Sequence, residues 1–226
     1  MSENEITQII NQIINISLKK NQSEIEKFIL SLQDAADMYI KFGARSSKKV
    51  NVIHNNIKHE LKKILPKNYK VKLEYNVSSM NSSGKKKCDI VILDSNKDVI
   101  YIFPVKFVMT NYNQNKNNYY ENLTGEIIHL HMMNNKIKII PINIIFNLVP
   151  YLDKDKKITK FEIINYDKTY KIYEKLVEFN YCFDVINYII DVKHNNKINE
   201  KYNLCPTIIG FNKKTNYRNF KTIIKI

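Results

Sequence analysis

The chain has 226 residues, 44% hydrophobic and 11% aromatic, enough to bury a sizeable core in one domain or a domain with a small elaboration. No apolar run approaches the roughly 20 residues of a membrane span, and the opening MSENEITQII lacks the basic-then-apolar order of a secretory signal, so an intracellular (cytoplasmic) protein without membrane contact is expected. A formal charge of +14 and a pI near 9.5 point to a polyanion such as nucleic acid as partner, although Asn-, Ile- and Lys-rich usage of the kind an A+T-rich gene produces accounts for part of that charge.

Residues 5–18 and 23–42 carry helical apolar spacing, with Ser23 and Glu26 fitting a capping box at the start of the second helix and Gly43 its stop. The connector ARSSKK follows, then a third helix over about 48–65, whose buried face is Val52, Ile53, Ile57, Leu61, Ile64 and Leu65 and which Pro66 ends. The pattern then changes to period two. YKVKLEYNV alternates as a half-buried strand, SSMNSSGKKK is a polar loop, and KKKCDIVILDSNKDVIYIFPVKF reads as two apolar strands joined by a turn. MTNYNQNKNN is a polar connector, YYENLTGEIIHLHMM a helix, and KIKIIPINIIFNLV a buried strand region bent or edged at Pro141. Residues 158–165 suggest a further strand, 167–179 a short amphipathic helix, and FDVINYIIDV and FKTIIKI two more strands. The expected fold is α/β (α+β): a central mixed β-sheet flanked by helices, preceded by N-terminal helices. The expected organisation is a single domain over 1–226, with a helical part at 1–45, a core at about 48–150 and further strands with a helix at 151–226.

The chemistry gathers on the two central strands. Asp89 opens one and Lys106 closes the other. A carboxylate at a strand end suits a hard divalent cation such as Mg²⁺, and a lysine beside it suits a developing phosphate charge. A solubilising Asp and Lys at strand ends would look the same in sequence. The three cysteines (Cys88, Cys182, Cys205) lack metal-ligand spacing and read as reduced thiols. The five histidines form no recognisable nucleophile–base set, and His129 and His131, two apart on a helix, face different ways.

The block IKHELKKIL, VKLEYNV, CDIVILD and YIFPVKFVMTNYNQNKNNYYENLTGE, about residues 57–130, resembles the core of the PD-(D/E)XK nucleases, in particular type II restriction endonucleases. The chain departs from that pattern at Lys87, where the motif has proline, and at Pro104, two residues before Lys106, where it has a carboxylate. The resemblance implies a restriction-endonuclease-like core and a Mg²⁺-dependent DNA endonuclease, with Mn²⁺ able to substitute, acting on double-stranded DNA as a homodimer. Repair or recombination nucleases of the same fold, and a catalytically silent DNA-binding protein, are the alternatives. It also implies that the missing acid is supplied from the following helix, at Glu121 or Glu126. Spacing favours Glu121; helix geometry favours Glu126 if one helix runs through both. Asp89 with one or other of these glutamates would hold the metal, and Lys106 would position the attacking water. Glu60 and Glu74 are secondary metal-ligand candidates.

Cations beside small hydroxyl residues contact phosphates, which marks Arg45, Ser46, Ser47, Lys48 and Lys49 in one loop and Lys85 and Lys86 in another. Amides can pair with adenine edges, which marks Asn113, Gln114 and Asn115, with Lys116 beside them. Arg218 in the C-terminal GFNKKTNYRNF is a further candidate DNA contact.

Overall fold

A computed structural model describes residues 3–44 and 46–225, with side chains from residue 23 onward. It is a mixed α/β structure. The chain begins with helices α1 (Glu3–Phe42) and α2 (Lys48–Ile64), followed by strands β1 (Lys70–Ser78), β2 (Lys85–Leu93), β3 (Val99–Phe103) and β4 (Val105–Val108). Helix α3 (Tyr112–Met133) leads into β5 (Lys138–Ile139), β6 (Ile142–Phe146), β7 (Leu148–Leu152) and β8 (Ile158–Ile163). Helix α4 (Tyr166–Glu178), β9 (Ile186–Lys193), β10 (Thr207–Phe211) and α5 (Phe220–Ile223) complete it.

Two four-stranded ladders, β1-β2-β3-β5 and β10-β9-β6-β4, make up the central sheet, and β7 and β8 form a separate hairpin. The ladders are joined where two prolines interrupt otherwise continuous strands. Pro104 separates β3 from β4, and Pro141 separates β5 from β6. Proline has no N–H to give a ladder, but pairing resumes at once on both sides. Ile140 N donates to Ile102 O and Ile142 N to Pro104 O, each at 2.8 Å. The sheet is antiparallel at β1–β2, β2–β3 and β9–β10 and parallel at β3–β5, β4–β6 and β6–β9.

Helices cover both faces. Phe28 of α1 stacks edge-on against Tyr188 of β9 at 5.6 Å. The neighbouring Asn187 turns to the other face and bonds Asn143. On that face the buried Tyr170 hydroxyl of α4 donates to the Tyr188 carbonyl at 2.8 Å, and Tyr173 of α4 meets Tyr120 of α3. Ile53, Ile57 and Leu61, all buried, seat α2 as its apolar stripe requires.

Three sequence expectations change. The separate helices at 5–18 and 23–42 are one helix, because nothing between them is Gly or Pro and the Ser23–Glu26 box lies within a continuing ladder. Helix α3 begins at Tyr112, so MTNYNQNKNN is largely helical rather than a connector, and Asn111 in the left-handed region (φ 52°) starts it. FKTIIKI is a short helix, Phe220–Ile223, instead of a strand. Asn219 caps it by accepting from Lys221 N, and burial of Phe220 and Ile223, three apart, fixes one helical face. Arg45 lies outside the described residues.

Candidate metal and phosphate site

Glu74 of β1 lies opposite Asp89 of β2, in the register set by Leu73↔Ile90 and Tyr75↔Cys88. On the other side of β2, pairing with β3 runs only to Ile90↔Phe103, so Asp89 faces the strand break at Pro104. Val105, just past the proline, has its N–H taken by Asp89 Oδ2 at 2.7 Å. The proline in the expected carboxylate position thus has a definite effect. It interrupts the ladder, and Asp89 fills the interruption by accepting the Val105 N–H.

Above these strands α2 places His54, a residue that sequence reasoning passed over. It is 1% exposed. His54, Glu74 and Asp89 each offer a donor atom, all within 4.8 Å of one another. The His54 Nδ1 to Glu74 Oε1 distance is 3.9 Å, too long for a hydrogen bond, and neither ring nitrogen has a hydrogen-bond partner. Burying an imidazole with both nitrogens unpaired is costly. Burial also pushes its pKa down, against the opposing pull of Asp89 and Glu74. That downward shift favours the neutral imidazole, the form in which histidine binds metals.

Two further groups act on the cluster through their charge. Lys106 of β4 is depressed in pKa by burial, while the charges of Asp89 and Glu126 pull it back up. Its Nζ lies 4.5 Å from the centroid of the Tyr119 ring on α3. Glu126 reaches in from α3, with its side chain 18% exposed and 3.0 Å from Lys86 Nζ. Burial raises its pKa, partly offset by Lys86. Asp89 is likewise raised, chiefly by burial, with the Val105 N–H and His54 working the other way. Lys87 reaches Glu74 at 3.2 Å. The lysines of β2 thus hold two carboxylates of the site in place.

The other sequence candidates divide clearly. Glu121 is exposed, because α3 buries Leu123, Ile127 and Leu130 and so turns Glu126, not Glu121, toward the strands. Spacing alone had favoured Glu121. Glu60 is buried but held by Lys63 at 2.6 and 2.7 Å, and it lies six residues beyond His54 on α2, roughly 9 Å further along the axis. It is not part of the cluster. Ser46 and Ser47 precede α2, Lys48 and Lys49 open it, and Lys85 and Lys86 open β2. Lys49 has its pKa lowered by burial and then by the charge of Lys106, which places the two ammonium groups on one surface. Asn113, Gln114 and Lys116 are exposed on the first turns of α3, and Asn115 is half-buried. Arg218 is already committed. It makes a two-pronged contact with Asp184 at 3.0 and 2.6 Å and another with Val185 O. A guanidinium so paired is not available to DNA without losing those bonds.

The sequence did carry one sign of His54: a histidine on the apolar stripe of α2, three residues before Ile57 and seven before Leu61. Nothing in spacing, however, connected it with β1 and β2.

No protein-family model and no curated protein matches this sequence. Among solved structures, the chain is similar to Pyrococcus furiosus SfsA in complex with Ca²⁺, at 10% identity and a TM-score of 0.30, over 73% of this chain and 64% of that one. The match thus spans just under two thirds of the SfsA chain, and a likeness this loose bears on neither mechanism nor partner. No helix among the described residues is long and apolar enough to cross a membrane.

Proposed function

We propose that the protein is a divalent-metal-dependent nuclease of the PD-(D/E)XK type that hydrolyses phosphodiester bonds in double-stranded DNA. The observation that carries this reading is the convergence of His54, Glu74 and Asp89 within 4.8 Å, with Lys106 and Glu126 close enough for their charges to act on Asp89 or one another. Three potential metal ligands from α2, β1 and β2 thus converge on a chain of charge +14, and the charges of Lys106 of β4 and Glu126 of α3 act on Asp89.

The residues fit a metal. His54 supplies a buried nitrogen without a partner, Asp89 the oxygen not given to Val105, and Glu74 a carboxylate held at the strand surface. Glu126 is the acid that stands in for Pro104. One imidazole among carboxylates suits Mn²⁺ as well as Mg²⁺, since imidazole is a borderline donor that Mg²⁺ seldom takes. A bound divalent ion would polarise the scissile phosphate and lower the pKa of an attacking water. Lys106 orients that water and offsets charge building on the phosphate, and its lowered pKa eases the loss of a proton. Lys86 and Lys87 screen Glu126 and Glu74 from phosphate repulsion, and Lys48, Lys49 and Lys85 extend the cationic surface to the flanking backbone.

Within this class, the sequence resemblance favours a type II restriction endonuclease, for which cutting both strands of a palindrome calls for a two-fold pair of chains. Incubation of long DNA with Mg²⁺ or Mn²⁺, with an EDTA control, tests the activity. Discrete fragments support the restriction reading and a smear a general nuclease. Binding without cleavage under every metal condition would remove the enzyme altogether.

A further inference from the structure

Beside Lys106 the surface opens into a crevice of about 330 Å³. Its walls include the rings of Tyr39, Tyr119 and Tyr202, with Thr110, Asn111 and Asn115 among its polar groups. Two of these rings are shared with the cationic surface. Lys106 sits over Tyr119 at 4.5 Å and Lys49 over Tyr39 at 5.0 Å. Gly43 and Ala44 form part of the rim from the α1–α2 connector. The crevice therefore lies between the two segments, Ser46–Lys49 and Asn113–Lys116, whose composition pointed to DNA.

The polar lining has capacity to spare. Asn111 is consumed locally: its amide N–H groups go to Gln114 and Leu152 O, and its oxygen accepts from Leu152 N. Asn115 gives an N–H to Asn111 O and retains an acceptor oxygen. Tyr202, 6% exposed, has a buried hydroxyl without any hydrogen-bond partner. The volume is at the lower end of that of small-molecule pockets, roughly 300–1,000 Å³. Aromatic walls, amide and hydroxyl groups, Lys156 and Asp153 in the lining, and the Lys49 and Lys106 ammonium groups over two of the rings form a receptor for a flat nitrogen heterocycle attached to a phosphate.

We propose that this crevice takes up one nucleobase turned out of the substrate's stack, with the phosphate of the same nucleotide held at Lys49 and Lys106. The proposal rests on the nuclease reading and adds the form of the substrate: a nucleotide locally unpaired beside the cleavage site. Stacking on an aromatic ring offsets much of the cost of extruding a base from a duplex.

The test uses the full chain and two small probes, dAMP and deoxyribose 5-phosphate, with binding followed by calorimetry. The expected result is that dAMP binds on the order of tenfold more tightly than the sugar phosphate, the range base–aromatic stacking provides. Ala44→Trp, an exposed rim residue, should fill the mouth and equalise the two affinities while leaving Mn²⁺ affinity unchanged. Asn115→Leu should reduce dAMP affinity several-fold without the bulk of the tryptophan. Equal affinities for the two probes in the wild type, or a preference for dAMP that survives both substitutions, overturns the proposal. A dAMP preference in a chain that neither binds Mn²⁺ nor cuts DNA upholds the base site and removes the nuclease reading instead.

Discussion

Glu74→Asn should make the metal-free protein more stable and the metal-loaded protein less so. Glu74 sits in the middle of β1 with φ of 51°, a conformation that costs a residue other than glycine roughly 1–2 kcal/mol and that asparagine tolerates best. Strain of this kind concentrates at functional sites, and here it brings a carboxylate opposite Asp89. Two other terms matter. Losing the Lys87 pair subtracts at most about 0.5 kcal/mol, because the side chains are 61% and 44% exposed. Removing a like charge beside Asp89 adds a smaller gain in the opposite direction, reduced by the same exposure. The net expectation is a stabilisation of about 1 kcal/mol, or about 2–4 °C in Tm for a chain of this size. A ligand that binds the native state at 100 times its Kd adds about 2.7 kcal/mol, and the variant lacks one of the carboxylates needed to collect it. In EDTA the variant should therefore melt higher, and with saturating Mn²⁺ the order should reverse. Thermal unfolding followed by circular dichroism across a Mn²⁺ titration measures both. A variant that melts below wild type in EDTA refutes the strain argument. A wild-type Tm indifferent to Mn²⁺ refutes the metal site.

Four further outcomes follow from the geometry. Glu126→Gln should lower the cleavage rate on the order of 100-fold, as changes at supporting metal groups do, whereas Glu121→Gln should cut at the wild-type rate; a severe Glu121 variant would relocate the acid. Asp89→Asn and Asp89→Ala should both be inactive, but Ala should cost an additional 1–3 kcal/mol or so in urea unfolding, because only it leaves the Val105 N–H unpaired; equal stabilities would remove that bond from the account. His54 titrates below its ordinary value of about 6.5 when folded, so its contribution to stability is full above pH 6.5 and is lost as pH falls toward the folded pKa. The stability of wild type relative to His54→Phe, measured in EDTA, should accordingly decline from pH 8 to pH 5.5, and a constant difference would mean that His54 takes up a proton freely. Pro104→Ala should keep most of the activity, since position 104 supplies no ligand, and an inactive but folded Pro104→Ala would show that the break in the ladder itself positions Asp89.

The sequence by itself determined the periodic elements and singled out Asp89 and Lys106 as candidates. Period-two and period-3.6 patterns report which face of a segment is buried, and that information is local. Helix α2, the strands around Asp89 and Lys106, and the mixed α/β class were readable for this reason. The residues 1–45 were legible as helix, though not as one uninterrupted helix, because capping residues signal a start only where the ladder actually stops. FKTIIKI was misread because seven mostly apolar residues fit a strand or a helical turn equally, and burial of Phe220 and Ile223 against α2 and β3 decided between them. The tertiary structure alone decided which side chains meet. Glu121 and Glu126 could be ordered only once α3 was known to run through both with Leu123, Ile127 and Leu130 inward. His54 lay concealed on an apolar stripe, since its role depends on β1 and β2 passing beneath α2, a relation no spacing encodes. The significance of Pro104 depended on register: a proline opposite Asp89 breaks a ladder, and the carboxylate that the break recruits is the one at the centre of the site.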